Sequence, residues 1–195
     1  MVLTDSELSF EQNLIPDFEE QIILQSKFEN CQACKYGKLI PRPMDKNSDC
    51  LVIYTRTGTY KGLHLEKRCN NQSLPCRAGH YYGFMKTSRD EKVIDDDALK
   101  NEFLITSRHT AFSVDYLWDI TLQIMFSQAS FESLGNIFNN LFFTNCPMDM
   151  MNERDEIVRK RISEAWFMYG CIEFGQRQDI EMVINKNIVF YFGEY

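Results

Sequence analysis

The chain has 195 residues, of which 44% are hydrophobic and 13% aromatic, so it is long enough for one ordinary domain or for a small module joined to a larger one. The mean hydropathy is -0.35 and no uninterrupted apolar run reaches about 18 residues, which argues against a membrane span. The net charge of -7 argues against nucleic-acid binding by the chain as a whole.

The charge is unevenly distributed along the chain. Residues 1–30 carry a net charge of -6 and residues 90–195 a net charge of -9, whereas residues 31–89 carry eleven Lys and Arg against three Asp and Glu, a net charge of +8. Five of the seven cysteines lie within the first 76 residues, and all five are in this basic part. A locally basic, cysteine-rich module leaves nucleic-acid binding open as a local property.

The first predicted element is a short amphipathic helix in an acidic N-terminal segment, residues 1–26. It would begin after Pro16, with apolar side chains at Phe18 and at 22–24. Residues 1–20 contain no Lys or Arg, unlike a signal or transit peptide, so we expect an intracellular protein.

A cysteine module is predicted next, over residues 27–89. Two β-rich runs, "CLVIYTRTG" and "YKGLHLEK", meet at Thr57–Thr59 and predict a β-hairpin. The charged residues 86–101 resemble a linker or exposed loop.

From about Phe103 the pattern favours helices, so we predict a helical domain over residues 98–195. Three helices are expected: one from about 114, one after a break with Ser130 as N-cap, and one over 153–174. The predicted fold class is therefore α+β, a small zinc-ribbon-like β module followed by a helical bundle.

Four cysteines have the spacing of a metal site. Cys31 and Cys34 form a CxxC pair, and Cys69 and Cys76 form a second pair after the predicted hairpin. Two such pairs can surround one tetrahedral Zn²⁺, and in a reducing compartment thiolate ligands are favoured over disulfides. The sequence predicts a zinc site made of Cys31, Cys34, Cys69 and Cys76.

Histidines compete for a place in this site. His80 or His64 could replace one thiolate, although four cysteines give the simpler account. Cys50 is expected to be structural. Cysteine catalysis by Cys76 with His80 as base is disfavoured, because other thiols stand so close in sequence. Cys146 and Cys171 are expected to be buried thiols, since their neighbours are apolar.

Two further patterns have an ordinary explanation. Asp115 and Asp119 are spaced i, i+4 and could share a metal ion, but a solvated helix face is the favoured interpretation. The helices could form a DNA-binding helix-turn-helix, with a plain helical bundle as the favoured alternative.

Basic residues of the cysteine module are the better candidates for contacts with nucleic acid, because they are interleaved with aromatics. The candidates are Arg56, Lys61, Lys67, Arg68, Arg77, Lys86 and Arg89. A solvated face beside a zinc site is the alternative explanation.

The order of several blocks resembles a known family. The CxxC pair, "YTRTG", "KRC", "PCRAGHYYGF", "FLITSRHTAFSVDYL", "SQASFESLGNIFNN" and "RKRISEAWFMY" are together similar to the CxC-type cysteine-cluster domains associated with KDZ transposases of eukaryotic mobile elements. The resemblance implies a zinc-chelating, DNA-recognising domain, with the metal role on Cys31, Cys34, Cys69 and Cys76. It disfavours His80, which stands where the family has a tyrosine. The 195 residues leave no room for a transposase catalytic domain, so a fragment, a degenerate copy or a gene that kept only the cysteine domain is expected.

The sequence thus predicts a transposon-derived, non-enzymatic protein with structural Zn²⁺ that associates with DNA or chromatin, in the nucleus. A zinc-stabilised protein-protein interaction module is the alternative, presenting Tyr81, Tyr82 and Phe84 to a partner. Neither a membrane nor a small-molecule substrate is expected as partner.

Overall fold

The computed structural model describes residues 22–43, 50–71, 76–89, 91–142 and 148–184, with the backbone alone at 142 and 148–156. The described residues form two β-sheets and three α-helices. The strands are β1 (Ile22–Gln25), β2 (Leu39–Pro41), β3 (Cys50–Thr55), β4 (Gly58–Leu65), β5 (Lys67–Cys69), β6 (Gly79–Tyr81), β7 (Phe84–Lys86), β8 (Lys92–Ile94), β9 (Phe103–Ile105), β10 (Thr110–Ser113) and β11 (Val183–Ile184). A short 3-10 helix spans Ala98–Lys100, and the α-helices are α1 (Val114–Ser127), α2 (Phe131–Phe142) and α3 (Met148–Arg177). The α+β class predicted from the sequence is confirmed.

The first sheet has the strand order β1-β4-β3-β10-β9. Its centre is the predicted hairpin, which is confirmed as β3 and β4, with the turn at residues 56–57. β10 adds to the hairpin in parallel, pairing Thr110 with Val52. Hydrogen-bonded strands therefore cross the boundary that the sequence suggests near residues 89–98.

Two local predictions are wrong. Residues 103–105 and 110–113 are strands, because "FLI" and "TAFS" are buried on both faces, and continuous apolar runs do not distinguish a buried strand from a helix. Residues 22–25 are the edge strand β1, parallel to β4, and not helix. Pro16 and Phe18 lie outside the described residues.

The helices begin where the chain leaves β10. Ser130 accepts a hydrogen bond from the Ser133 amide at 3.1 Å and so acts as the predicted N-cap of α2. The predicted third helix is confirmed within α3. Tyr54 of β3 stacks on Phe112 with centroids 4.8 Å apart and contacts Phe138 of α2, so sheet and helices share one core.

The second sheet, β11-β8-β7-β6-β5-β2, carries the cysteines. It has a small core cluster of its own, in which Cys31, Leu39 and Ala78 are the buried members. None of the helices in the described ranges has the length and apolar character that a bilayer crossing requires.

Candidate metal centre

Two loops bring the four predicted cysteines together. Cys31 and Cys34 lie between β1 and β2, Cys69 ends β5, and Cys76 precedes β6. β2 and β5 are antiparallel neighbours with Leu39 opposite Cys69, and this pairing places one loop against the other. The predicted hairpin between the two pairs belongs to the first sheet, so strands β2 and β5, rather than the hairpin end, position the cysteines.

The four Sγ atoms all lie within 4.8 Å of one another. The Cys31–Cys76 Sγ distance is 3.6 Å and the Cys34–Cys69 Sγ distance is 3.5 Å. A tetrahedral Zn²⁺ with Zn–S bonds of about 2.3 Å needs S–S edges of about 3.8 Å. The cluster therefore has the ligand type, the ligand number and nearly the size that a four-thiolate zinc site requires.

The CxxC loop has the backbone geometry of a metal-binding turn. The amides of Ala33 and Cys34 donate to Sγ of Cys31. The Lys35 amide donates to the Cys31 carbonyl at 2.9 Å, with Lys35 in the left-handed region at φ 63°. Amide donors of this kind stabilise the thiolate form of a cysteine.

The thiols of this loop have opposite pKa shifts. Burial raises the pKa of Cys31 to about 12, whereas the amides of Tyr36 and Gly37 lower the pKa of Cys34 to about 6. Cys31 is completely buried, so its thiolate needs a nearby cation as counter-charge. A divalent metal ion at the centre of the cluster would supply it.

Two asparagines complete the second loop. The Asn71 amide donates to Sγ of Cys69 at 3.4 Å. The side chain of Asn70 accepts from the Lys38 amide at 2.9 Å, while the Asn70 amide donates to the Lys38 carbonyl at 3.0 Å. The two bonds between Asn70 and Lys38 join the loop after β5 to the start of β2, which follows the CxxC loop.

Gly37 allows the loops to approach each other. A Cβ atom on Gly37 would lie 2.2 Å from Sγ of Cys69 and 3.0 Å from Cβ of Asn71. Any side chain here would displace the thiol. No role for Gly37, Asn70 or Asn71 was predicted from the sequence, although a glycine three residues after a CxxC pair is a usable signal of a tight turn.

The two histidines have different places. Nε2 of His80 lies 3.4 Å from Sγ of Cys31, and burial lowers the pKa of His80. His80 is therefore a neighbour that can hydrogen-bond a ligand thiolate. His64 packs against both Tyr81 and Phe84, with ring centroids 5.0 and 5.7 Å away. These aromatics line the face of the second sheet opposite Cys69, so His64 lies outside the cluster.

The other cysteines behave differently from the cluster. Cys50 is buried in β3, as expected of a structural thiol. Cys171 is exposed on α3, so the prediction of a buried thiol is wrong there, because it lies on the solvent side of the helix. Cys146 lies outside the described residues.

The predicted nucleic-acid residues do not share one face. Arg56 pairs with Asp115 and Asp119, which also explains these two carboxylates without a metal ion. Lys67 donates to the carbonyls of Ser26 and Phe28.

Adjacent strand residues point to opposite faces, so Arg68 lies on the face opposite Lys67 and pairs there with Glu66 at 3.0 Å. Lys86 is half-buried, and the other three candidates, Lys61, Arg77 and Arg89, are exposed, as Arg56 and Arg68 are.

The aromatic side chains predicted to contact a protein partner take part in the packing of the fold. Phe84 is buried, and Tyr81 stacks on it at 4.9 Å. The Tyr82 hydroxyl accepts from the Phe103 amide at 3.3 Å. Phe84 is therefore closed to a partner, whereas Tyr81 and Tyr82 are partly buried.

In the helix-turn-helix alternative the third helix would face DNA, but part of this helix is engaged in packing. Arg161 is buried and pairs with Glu164 at 3.4 Å. Cα of Arg159 lies 3.3 Å from the Cβ position of Gly135, so α3 packs closely on α2 here.

Comparison with family models, with curated proteins and with solved structures gives no match for this chain. The metal-binding geometry therefore rests on the chain's own residues.

Proposed function

We propose that the chain is a non-enzymatic zinc protein in which Cys31, Cys34, Cys69 and Cys76 bind one structural Zn²⁺. The observation that carries the proposal is the convergence of four Sγ atoms within 4.8 Å, from two loops about 35 residues apart in sequence. Zinc fits this set better than a harder ion, since thiolates select soft or borderline metals.

A structural role fits better than a catalytic one. Four protein ligands fill a tetrahedral coordination sphere, whereas catalytic zinc keeps a position open for water or substrate. In addition, the small core around the cysteines holds few buried apolar side chains in the described residues. A lobe with so little apolar burial depends on its metal for much of its folding free energy.

The test is metal content with a matched cysteine control. We expect about one zinc per chain by elemental analysis of the purified protein, lost in Cys69→Ser and retained in Cys171→Ser, whose thiol is exposed on α3. A folded protein without metal, or equal zinc loss in both variants, would contradict the site.

We further propose that this module associates with DNA and that the chain derives from a transposon of the KDZ type, acting in the nucleus. Support comes from the net charge of +8 over residues 31–89 and from the block order of the sequence. Binding of the full chain to duplex DNA that weakens steeply with salt is expected. Absence of binding at low salt would refute the DNA association.

A further inference from the structure

One face of the second sheet carries exposed cations opposite the metal side. Side chains alternate along a strand, so Lys38, Ile40 and Arg42 project from one face of the β2 segment. Ile40 is paired with Arg68 and Leu39 with Cys69, so Arg68 lies on the face with Ile40 while Cys69 lies on the other. We call Lys38, Ile40, Arg42, Arg68 and Asn70 the basic face.

The basic face is open to solvent. All five residues are exposed, with side-chain exposures of 51% for Arg42 and 62% for Arg68. Ile40, Arg42, Arg68 and Asn70 line a shallow groove at the edge of the sheet together with Pro41, Pro43 and Cys69. Because β2 is the last strand of its sheet, an extended ligand could reach this groove from the side.

One carboxylate organises the cations. Glu66 accepts from Nη1 of Arg42 at 3.3 Å and from Nε of Arg68 at 3.0 Å. Its side chain is only 11% exposed, so the carboxylate lies beneath the two guanidinium groups. Three exposed cations against one recessed anion leave the surface net positive.

The residues next along the same face extend the positive potential. Arg68 is paired with Gly79, and Gly79 with Lys86 on the following strand. A Cβ on Gly79 would lie 2.6 Å from the Glu66 carboxylate, so glycine leaves room for that carboxylate between the strands. Exposed cations therefore flank β2 at Lys38 and Arg42 and occur on β5 at Arg68, and the half-buried Lys86 of β7 lies on the same face.

We propose that the basic face binds the phosphate backbone of duplex DNA, an inference that rests on the DNA association proposed above. Lys, Arg and Asn side chains are common donors to phosphate oxygens, and phosphate contacts give affinity without sequence preference. A protein partner fits less well, because the groove is shallow and lacks an aromatic anchor among its lining residues.

The experiment compares two double variants of equal charge. Lys38→Ala/Arg68→Ala removes two cations of the basic face, and Lys61→Ala/Arg89→Ala removes two exposed cations that lie on β4 and in the β7–β8 turn. Binding of the full-length, zinc-loaded chain to a fluorescent 20-base-pair duplex is measured by anisotropy between 50 and 200 mM salt. The zinc content and circular dichroism of each variant are measured alongside.

The slope of log affinity against log salt is the main readout. Each lost phosphate contact reduces the steepness of this slope by about 0.9, so the Lys38/Arg68 double variant should lose about 1.8 and the control should stay near the wild type. Between 50 and 200 mM salt, each phosphate contact accounts for about a 3.5-fold loss of affinity.

A third variant, Glu66→Gln, is expected to bind DNA more tightly, and misfolding cannot explain tighter binding. Glu66→Gln removes the recessed charge and keeps an oxygen that can accept from Arg42 and Arg68. We expect tighter binding at fixed salt, by about 3-fold, since one repulsive charge is removed.

The outcomes are separable. If the wild type does not bind at 50 mM salt, both the DNA association and the basic face are refuted. If the wild type binds and the two double variants lose the same slope, DNA association stands and the basic face is refuted. Unchanged or weaker binding by Glu66→Gln also counts against this surface.

Discussion

Replacing Gly37 by alanine tests the metal centre without removing any ligand. The alanine Cβ would lie 2.2 Å from Sγ of Cys69, whereas ordinary contacts begin near 3.4 Å. The thiol must therefore move by about 1.2 Å, roughly six times the tolerance of about 0.2 Å on a metal–ligand distance. The backbone of Gly37 lies outside the left-handed region, so the effect is steric and not conformational.

The expected result is a weaker zinc site in an otherwise folded protein. Disturbance of the residues that orient metal ligands costs about 10- to 100-fold in affinity, and we expect a loss of this size or greater for Gly37→Ala. Affinity is measured by competition with a chromogenic zinc chelator at pH 7.5.

Gly170→Ala is the matched control. Gly170 lies on the exposed side of α3, and a Cβ there meets nothing within 4 Å. This variant should keep wild-type zinc affinity and gain up to about 1 kcal/mol of helix stability. Zinc affinity of Gly37→Ala equal to that of the wild type would refute the close approach of the two loops.

Two predictions concern the rest of the fold. Burial lowers the pKa of Lys92 to about 8, while its Nζ donates to the Ile105 carbonyl at 3.1 Å. Because the unfolded chain binds this proton more tightly, the free energy of unfolding should rise with pH between about 8 and 10, and it should rise less in Lys92→Met. Chemical denaturation across that pH range measures this difference, and parallel curves for the two proteins would contradict the prediction. Gly135→Val should lower the free energy of unfolding by about 1–3 kcal/mol, because a Cβ at 135 already lies 3.3 Å from the Arg159 backbone; an unchanged melting temperature would show that α2 and α3 are less closely packed than described.

The fold could be predicted where local patterns decide structure. The β3–β4 hairpin, the Ser130 cap and the third helix follow from alternation, turn residues and helical periodicity, all of which act within about ten residues. Phe103–Ile105 and Thr110–Ser113 could not be assigned this way. Their apolar runs become strands because β3 offers a free edge, and that edge is distant in sequence.

The metal site, like the fold, was predicted in part from the sequence and decided in part by the tertiary structure. The sequence alone identified the four cysteines, since the spacing of two pairs is a property of the chain and thiolates are the ligands that zinc prefers. Only the tertiary structure decided the role of each histidine, because His80 lies on β6 of the second sheet beside Cys31, whereas His64 lies on β4 of the first sheet and packs against Tyr81 and Phe84.

The basic surface was also decided by tertiary structure. Counting charges favoured Arg56 and Lys67 as contacts for nucleic acid. In the structure Arg56 is paired with Asp115 and Asp119, and Lys67 donates to backbone carbonyls. Lys38 and Arg42 were overlooked because nothing in the sequence shows that β2 pairs with β5 and aligns them with Arg68. The metal ligands can be predicted from residue types and their spacing in the sequence, whereas a binding face depends on which strands become neighbours in the fold.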